Sequence, residues 1–167
     1  MNLFKFVAAV FLVIGVAGCE TPSKFKSYDG PEVTHVLIEK ENRKMYLFHK
    51  DQVLKSYDVD LGFAAEGHKQ FEGDGKTPEG VYTIDRRNPN SAFYLSIGIS
   101  YPNAQDIAFA RSHGKSPGGD IFIHGQPNGE RRVGRPDWTA GCISVTNRQI
   151  EQVYAMVKNG TVVTIRP

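Results

Sequence analysis

Residues 121–147 contain the most informative pattern in the sequence. It opens with Ile121-Phe122-Ile123-His124-Gly125 and closes with Thr139-Ala140-Gly141-Cys142-Ile143-Ser144-Val145-Thr146-Asn147. Both ends contain a short apolar run of the length typical of a buried strand. A histidine ends the first run, and a glycine precedes the cysteine that begins the second. A cysteine attacks as the thiolate and an imidazole can take its proton, so we interpret His124 and Cys142 as general base and nucleophile of a thiol enzyme.

Five histidines compete for the role of base. Two lie in an early strand region and two in glycine-rich loops, namely His35, His49, His68 and His113. His124 differs because a strand would hold its backbone rigidly and Gly125 leaves space beside it. Metal binding is the rival use of these groups, but one thiol with histidines at 113 and 124 matches no recurrent zinc spacing. We therefore predict neither a metal nor a cofactor.

The N-terminus reads as a targeting segment. An apolar run of about a dozen residues follows Lys5, too short to span a bilayer but suited to a signal peptide. It ends in Val16-Ala17-Gly18-Cys19, which resembles a bacterial lipobox whose cysteine receives a lipid. We expect a signal peptide at residues 1–18 and a lipid-anchored tether at 19–31. An ordinary secretory signal or an uncleaved anchor are the alternatives. The residue after Cys19 is Glu20, and not the aspartate that signals retention of a lipoprotein in the inner membrane. The outer membrane is therefore favoured if the host is a diderm bacterium.

Lipidation of Cys19 would leave Cys142 without a disulfide partner, because the chain has two cysteines. A free thiol in an oxidising compartment is exposed to oxidation, which a purely structural role explains poorly. The chain has 20 basic and 18 acidic residues, and this near balance does not favour any class of binding partner. The one local excess is Arg131-Arg132-Val133-Gly134-Arg135, more typical of a solvated loop than of a site. Nothing indicates a nucleic-acid partner.

The remaining pattern predicts one mainly β domain over residues 32–167. Alternating apolar residues indicate a hairpin at 33–39 and 44–49, continued by a strand at 53–61. Further strands are expected at 81–84, 93–99 and 161–165, with a long loop at 62–75. Asn103 is expected to cap a short helix reaching Ala110. Thr146 and Gln149 have the form of a capping box, which predicts a second helix ending at Asn159-Gly160.

The second half of residues 121–147 resembles the catalytic motif of YkuD-type L,D-transpeptidases. Thr139, Gly141 and Cys142 match it, with His124 at the expected distance before the cysteine. Lys76-Thr77-Pro78-Glu79-Gly80 resembles the earlier Thr-Pro-x-Gly signature of that family. Two positions depart from the motif: Ala140 replaces a histidine, and Ser144 replaces an arginine or asparagine. These departures resemble the YafK-like branch, in which a member cleaves a linkage between peptidoglycan and a lipoprotein.

The resemblance implies a fold and a mechanism. The fold would be an L,D-transpeptidase-like β-sandwich with one C-terminal helix packed on the sheet and a short second helix. Cys142 would attack an L-to-D linkage of a peptidoglycan stem peptide, and N–H groups around Gly141 and Cys142 would bind the oxyanion. The carbonyl of Gly125 would orient the base. Because Ala140 cannot assist, Asp137 is a candidate charge partner for His124, although it can equally cap a loop.

Four residues are candidates for binding the substrate. Trp138 would form a wall of the cleft, with a packing role as the alternative, and Tyr101 and Arg111 would contact carboxylates or sugars. Thr139 is the fourth candidate for a substrate-binding residue. The partners implied are peptidoglycan stem peptides, a wall-attached lipoprotein, and the membrane through the lipid, which places the protein on the periplasmic face of the cell envelope.

Three functional alternatives remain open at this point. The acyl-enzyme can be resolved by an amine, which is transfer, or by water, which is hydrolysis. A non-catalytic wall-binding lipoprotein would explain Ala140 and Ser144 but not the retained thiol. A papain-like protease fits poorly, because in this chain the histidine precedes the cysteine.

Overall fold

The computed structural model describes residues 23–129 and 134–167. Its elements, in chain order, are β1 (His35–Glu39), β2 (Lys44–His49), β3 (Gln52–Asp58), β4 (Gly80–Asn88), β5 (Ser96–Ile99), α1 (Ala104–Ser112), β6 (Phe122–His124), β7 (Ile143–Ser144), α2 (Asn147–Met156) and β8 (Val162–Arg166). The predicted signal peptide, the lipidation site Cys19 and most of the arginine cluster at 131–135 lie outside the described residues. No helix in the described ranges is long and apolar enough to cross a membrane.

The strands form one curled sheet in the order β3-β2-β1-β8-β4-β5-β6-β7. The first three form the predicted antiparallel meander. The closing strand β8 returns to the centre, parallel to β1 and antiparallel to β4. β4 then pairs with β5, and its register shifts between Ile84 and Arg86, so one long strand serves both halves of the sheet. The parallel pair β6 and β7 lies at the far edge.

The core follows from strand alternation and one helical face. Val36 and Ile38 on β1 and Met45 and Leu47 on β2 are fully buried. The buried residues of α2 recur at helical spacing: Ile150, Val153 and Met156. The helix begins as predicted, with Thr146 and Gln149 forming a capping box.

Several element boundaries differ from the sequence prediction. β3 ends at Asp58 and not at residue 61, β4 covers Gly80–Asn88 and not only 81–84, and α2 ends at Met156, before Asn159-Gly160. β5 begins at Ser96 and not at residue 93, because Tyr94 has a left-handed backbone (φ 70°) that an extended strand does not accept. α1 begins after Asn103, as expected, where Asp106 completes a capping box, and it continues to Ser112, two residues beyond the predicted end.

The described part of the expected tether packs against the domain. Lys24 Nζ donates to the carbonyl of Pro89 at 2.7 Å. The ring of Phe25 lies 6.2 Å from that of Tyr154 on α2. Residues 23–31 are therefore held along the surface of the domain.

Candidate active site

The proposed base and nucleophile lie on neighbouring strands. β6 and β7 pair in parallel, with Ile123 opposite Ile143 and His124 opposite Ser144. Because side chains alternate along a strand, both isoleucines point into the core, and His124, Ser144 and Cys142 share the opposite face. The two apolar runs of the sequence thus place the imidazole and the thiol on one surface.

His124 is held in a single tautomer. Its side chain is buried, and Nδ1 lies 2.7 Å from the carbonyl oxygen of Gly125. A carbonyl can only accept a hydrogen bond, so Nδ1 carries the hydrogen and Nε2 keeps a free lone pair. The rings of Phe93 and Trp138 lie 4.5 and 5.6 Å away and cover the imidazole. Burial lowers the pKa of His124, while the Gly125 carbonyl partly opposes this shift.

The thiol of Cys142 is half-buried and lies between two backbone groups. Its Sγ lies 3.4 Å from the carbonyl oxygen of Asp120 and accepts from the N–H of Phe122 at 3.4 Å. Burial raises the pKa of the Cys142 thiol, and the Phe122 N–H and the charges of Lys69 and Arg86 act in the opposite direction. Burial lowers the pKa of His124 and raises that of Cys142, so both shifts favour the neutral thiol and the neutral imidazole over an ion pair.

Thr139 fixes the turn that carries the nucleophile. Its hydroxyl accepts from the N–H of Gly141 at 3.1 Å and donates to the carbonyl of Cys142 at 2.7 Å. Gly141 has a φ of 134°, and a Cβ there would lie 2.7 Å from the carbonyl oxygen of Lys76. The N–H of Gly141 is thereby occupied. The N–H of Cys142 has no hydrogen-bond partner within residues 23–129 and 134–167, so it is the donor left for an oxyanion.

The earlier motif, residues 76–80, packs behind this turn. Thr77 is fully buried, and its hydroxyl accepts from the N–H of Gly62 at 3.0 Å. The buried ammonium of Lys40 donates to the Thr77 carbonyl at 3.1 Å and to Glu79 at 2.7 Å. Sequence reasoning did not identify Lys40, because a lysine after a strand gives no sign of being buried.

Asp137 anchors the loop before the nucleophile and is not hydrogen-bonded to His124. Its carboxylate accepts from Nε and Nη2 of Arg43, at 3.0 and 2.7 Å, and from the N–H of Leu61 at 3.0 Å. Arg43 belongs to the turn between β1 and β2. This pair therefore ties the segment that carries Trp138 to a distant part of the sheet.

Asp137→Asn is expected to lower the free energy of unfolding by about 1–2 kcal/mol, because it removes the charge from a partly buried, bidentate pair. Asparagine accepts the left-handed backbone at this position (φ 47°), so the substitution tests the charge alone. Urea unfolding followed by circular dichroism measures the change. Asp58→Asn is the matched control, since Asp58 pairs with Lys44 but is 83% exposed, and it should shift stability by less than about 0.5 kcal/mol. Equal effects of the two substitutions would contradict the anchoring role.

The substrate-binding candidates occupy different environments. Trp138 lies beside His124 and is half-buried. Tyr101 is 3% exposed, with its hydroxyl donating to the carbonyl of Pro117 at 2.9 Å, which places it under the loop that precedes β6. Arg111 is exposed in the last turn of α1. The structure thus brings Trp138 and Thr139 to the proposed catalytic pair.

The other histidines have their own hydrogen bonds away from Cys142. Their partners are Thr164 for His35, the Glu32 carbonyl for His49, Asp106 for His68 and the Phe109 carbonyl for His113. Among the residues that the structure describes, no group of three or more histidine, cysteine or acidic side chains converges as a metal site would require.

Comparison with known proteins identifies the family. The family model of YkuD, an L,D-transpeptidase catalytic domain, matches residues 33–165. The chain belongs to this family. The resemblance drawn from the two motifs is confirmed, and so is the mainly β fold with two helices.

Relatives of this L,D-transpeptidase domain are longer proteins. YafK of Escherichia coli strain K12, named as an L,D-transpeptidase, is 30% identical over 158 residues, which is 90% of this chain and 58% of YafK. The helical cell shape determining protein Pgp2 of Campylobacter jejuni is 27% identical with a TM-score of 0.63, covering 83% of this chain and 49% of that one. Bd1075 of Bdellovibrio bacteriovorus is 27% identical with a TM-score of 0.59, covering 81% and 48%. The chain spans roughly half to three fifths of each.

The two departures from the L,D-transpeptidase motif have different positions. Ala140 is exposed, beside Gly141. Ser144 is 1% exposed, and its hydroxyl has no partner among the described residues. Neither change disturbs the hydrogen bond between His124 and Gly125 or the Thr139 turn.

Proposed function

We propose that this L,D-transpeptidase domain acts on peptidoglycan stem peptides through an acyl-enzyme on Cys142, with His124 as general base. The observation that carries the proposal is the tautomer of His124. Its Nε2 lone pair is free, and it lies on the same face of the sheet as the only thiol of the described chain. A bystander histidine would need neither property.

The first half-reaction transfers one proton and forms one bond. The thiol turns from the Asp120 carbonyl toward His124, and Nε2 takes its proton as Sγ attacks the carbonyl of the L-to-D linkage. The N–H of Cys142 stabilises the resulting oxyanion, a contribution typically worth about 10²–10³ in rate for one donor. Collapse returns the proton from His124 to the leaving amine and leaves a thioester on Cys142.

The second half-reaction decides the outcome. An amine that attacks the thioester gives a new amide, which is transfer, and water gives a free carboxylate, which is hydrolysis. In both cases His124 accepts the proton of the attacking group and Sγ recovers it. Hydrolysis is the second candidate function. It is supported by Ala140 and Ser144, because these departures from the family motif resemble the YafK-like branch, in which a member cleaves a linkage between peptidoglycan and a lipoprotein.

Purified protein incubated with isolated sacculi tests the proposal, with muropeptides analysed by mass. New crosslinked muropeptides are expected for transfer. Shortened stems or a released wall-attached peptide without crosslinks would identify a hydrolase. Unchanged sacculi, with protein retained on them, would refute the reaction and favour the wall-binding alternative.

We further propose that the domain works at the cell envelope on a lipid carried by Cys19. The lipobox-like residues 16–19 support the anchor. Residues 23–31 pack on the domain, which leaves residues 19–22 as the connection and would hold the active site close to the membrane surface. Peptidoglycan attached near that membrane, and a lipoprotein linked to it, would then be within reach.

A further inference from the structure

The loop of residues 89–94 lies against His124, the proposed base. The ring centre of Phe93 lies 4.5 Å from that of His124 and 5.8 Å from that of Trp138, so the two aromatic rings cover the imidazole together. The carbonyl of Phe93 also accepts from the N–H of Gly125 at 3.1 Å. Gly125 is the residue whose own carbonyl holds Nδ1 of His124. The loop therefore shields the imidazole from water and fixes the residue that orients it.

The loop has a conformation that needs support. Tyr94 has a φ of 70°, which costs free energy for a residue with a bulky side chain. Its N–H donates to Oδ1 of Asn128 at 3.0 Å, and the Asn128 amide donates to the carbonyl of Ser91 at 2.9 Å. These bonds fix part of the loop. The carbonyls at its two ends, on Pro89 and Tyr94, face the tether.

Lys24 of the tether joins the two ends of the loop. Its ammonium donates to the carbonyl of Pro89 at 2.7 Å and to the carbonyl of Tyr94 at 3.2 Å. The same ammonium lies 5.6 Å from the centre of the Tyr94 ring. Hydrogen bonds from a charged donor are stronger than those between neutral groups. One side chain of the tether therefore closes the loop that covers the imidazole.

Helix α2 supports both the tether and the loop. The ring of Phe25, next to Lys24, lies 6.2 Å from the ring of Tyr154 on α2. Glu151 of the same helix accepts from the hydroxyl of Tyr94 at 2.6 Å. The helix thus holds the segment that carries Lys24 beside the loop that Lys24 binds. The contact between them does not depend on the orientation of one flexible side chain alone.

We propose that Lys24 is a positioning residue for the reaction, because it closes the loop of residues 89–94 and so keeps the imidazole of His124 covered and oriented. Lys24 acts through Phe93 and Gly125 and has no hydrogen bond of its own to His124. The tether is then a part of the active site and not only a spacer. The inference rests on the proposed function, since it takes His124 as the base.

Lys24→Met, which removes the ammonium and keeps an unbranched side chain, tests the proposal. Without the ammonium the loop loosens and water reaches the imidazole. The pKa of His124 should then rise toward its ordinary value, because burial is the larger influence on it. More of the base is then protonated in mild acid, so kcat/KM on stem peptides should fall about tenfold near about pH 6 and only about threefold near about pH 8.

Two further variants control for the loss of charge. Lys24→Arg still carries donors for two carbonyls and should keep most of the parent activity at both pH values. Lys55→Met removes the same charge from an exposed position on β3 and should match the parent protein. An equal loss of kcat/KM at both pH values in Lys24→Met would indicate a purely structural role and overturn the proposal.

Nuclear magnetic resonance of protein with isotope-labelled histidine follows the titration of His124 without any turnover, and His124→Gln identifies the signal. A raised pKa of His124 is expected in Lys24→Met, and an unchanged one would overturn the proposal. The result is independent of the reaction. A raised pKa, in a protein whose parent leaves stem peptides intact, refutes the proposed function and upholds the cover that Lys24 maintains. Turnover by the parent with an unchanged titration in the variant does the reverse.

Discussion

Cys142→Ala is expected to abolish turnover of stem peptides, with kcat falling roughly 10⁴- to 10⁶-fold. Loss of a nucleophile removes the covalent route entirely and leaves only substrate positioning and the oxyanion donor. The N–H of residue 142 and the Thr139 hydrogen bonds to the turn involve only the backbone of that residue, so the alanine keeps them. The measurement is product release from peptides or sacculi, followed by mass spectrometry.

Intact-protein mass gives the same substitution a second readout. Parent protein mixed with a donor peptide and quenched early should gain the mass of the acyl group, and the alanine variant should gain nothing. Thermal unfolding is the control, and it should change little because the side chain is half-buried and small. Turnover retained in the alanine variant would exclude Cys142 as the nucleophile.

His124→Gln is expected to lower kcat/KM by about 10²–10⁴, the usual contribution of a positioned general base. The dependence of kcat/KM on pH distinguishes a general base from a residue that only positions the substrate. Only the neutral imidazole can accept the thiol proton, and burial lowers the pKa of His124 below the ordinary imidazole value of about 6.5. The activity of the parent protein should therefore be maximal at neutral pH. It should fall only when the pH drops through the lowered pKa of His124.

Without the base, reactivity depends on spontaneous ionisation of Cys142. Burial raises the pKa of this thiol, so the glutamine variant should react faster only as the solution becomes alkaline. Rates of alkylation by iodoacetamide from acid to alkaline pH give both profiles directly. His113→Gln, on an exposed histidine, is the matched control. If the His124 variant kept the acid limb of the parent profile, another group would be the base.

Local sequence patterns predicted the elements that carry this chemistry. Two apolar runs placed His124 and Cys142, because a short buried strand leaves a clear signature. Capping residues gave the start of both helices, since a cap needs only neighbours within three positions. These features are local, and local chemistry can be read directly from the order of residues.

The residues that surround the proposed pair were not predictable in the same way. Asp137 was considered as a partner of His124, but its partner Arg43 is 94 positions earlier in the chain. Arg86 approaches Cys142 only because Gly98 and Phe122 bring three strands into register. Such contacts depend on strand order, and in this sheet β8 from the end of the chain lies between β1 and β4.

The connection between base and nucleophile is attached at both ends by independent bonds. Gln126 is bound by Asn147 and Val145 just after His124, while Asp137 is bound by Arg43 and Leu61 just before Trp138. Residues 134–136 are exposed and take part in neither attachment. Charge changes at these described positions can therefore accumulate without loosening the bonds that hold the two ends. Evolution, or a protein engineer, can vary the rim of the cleft while the reacting groups stay in place.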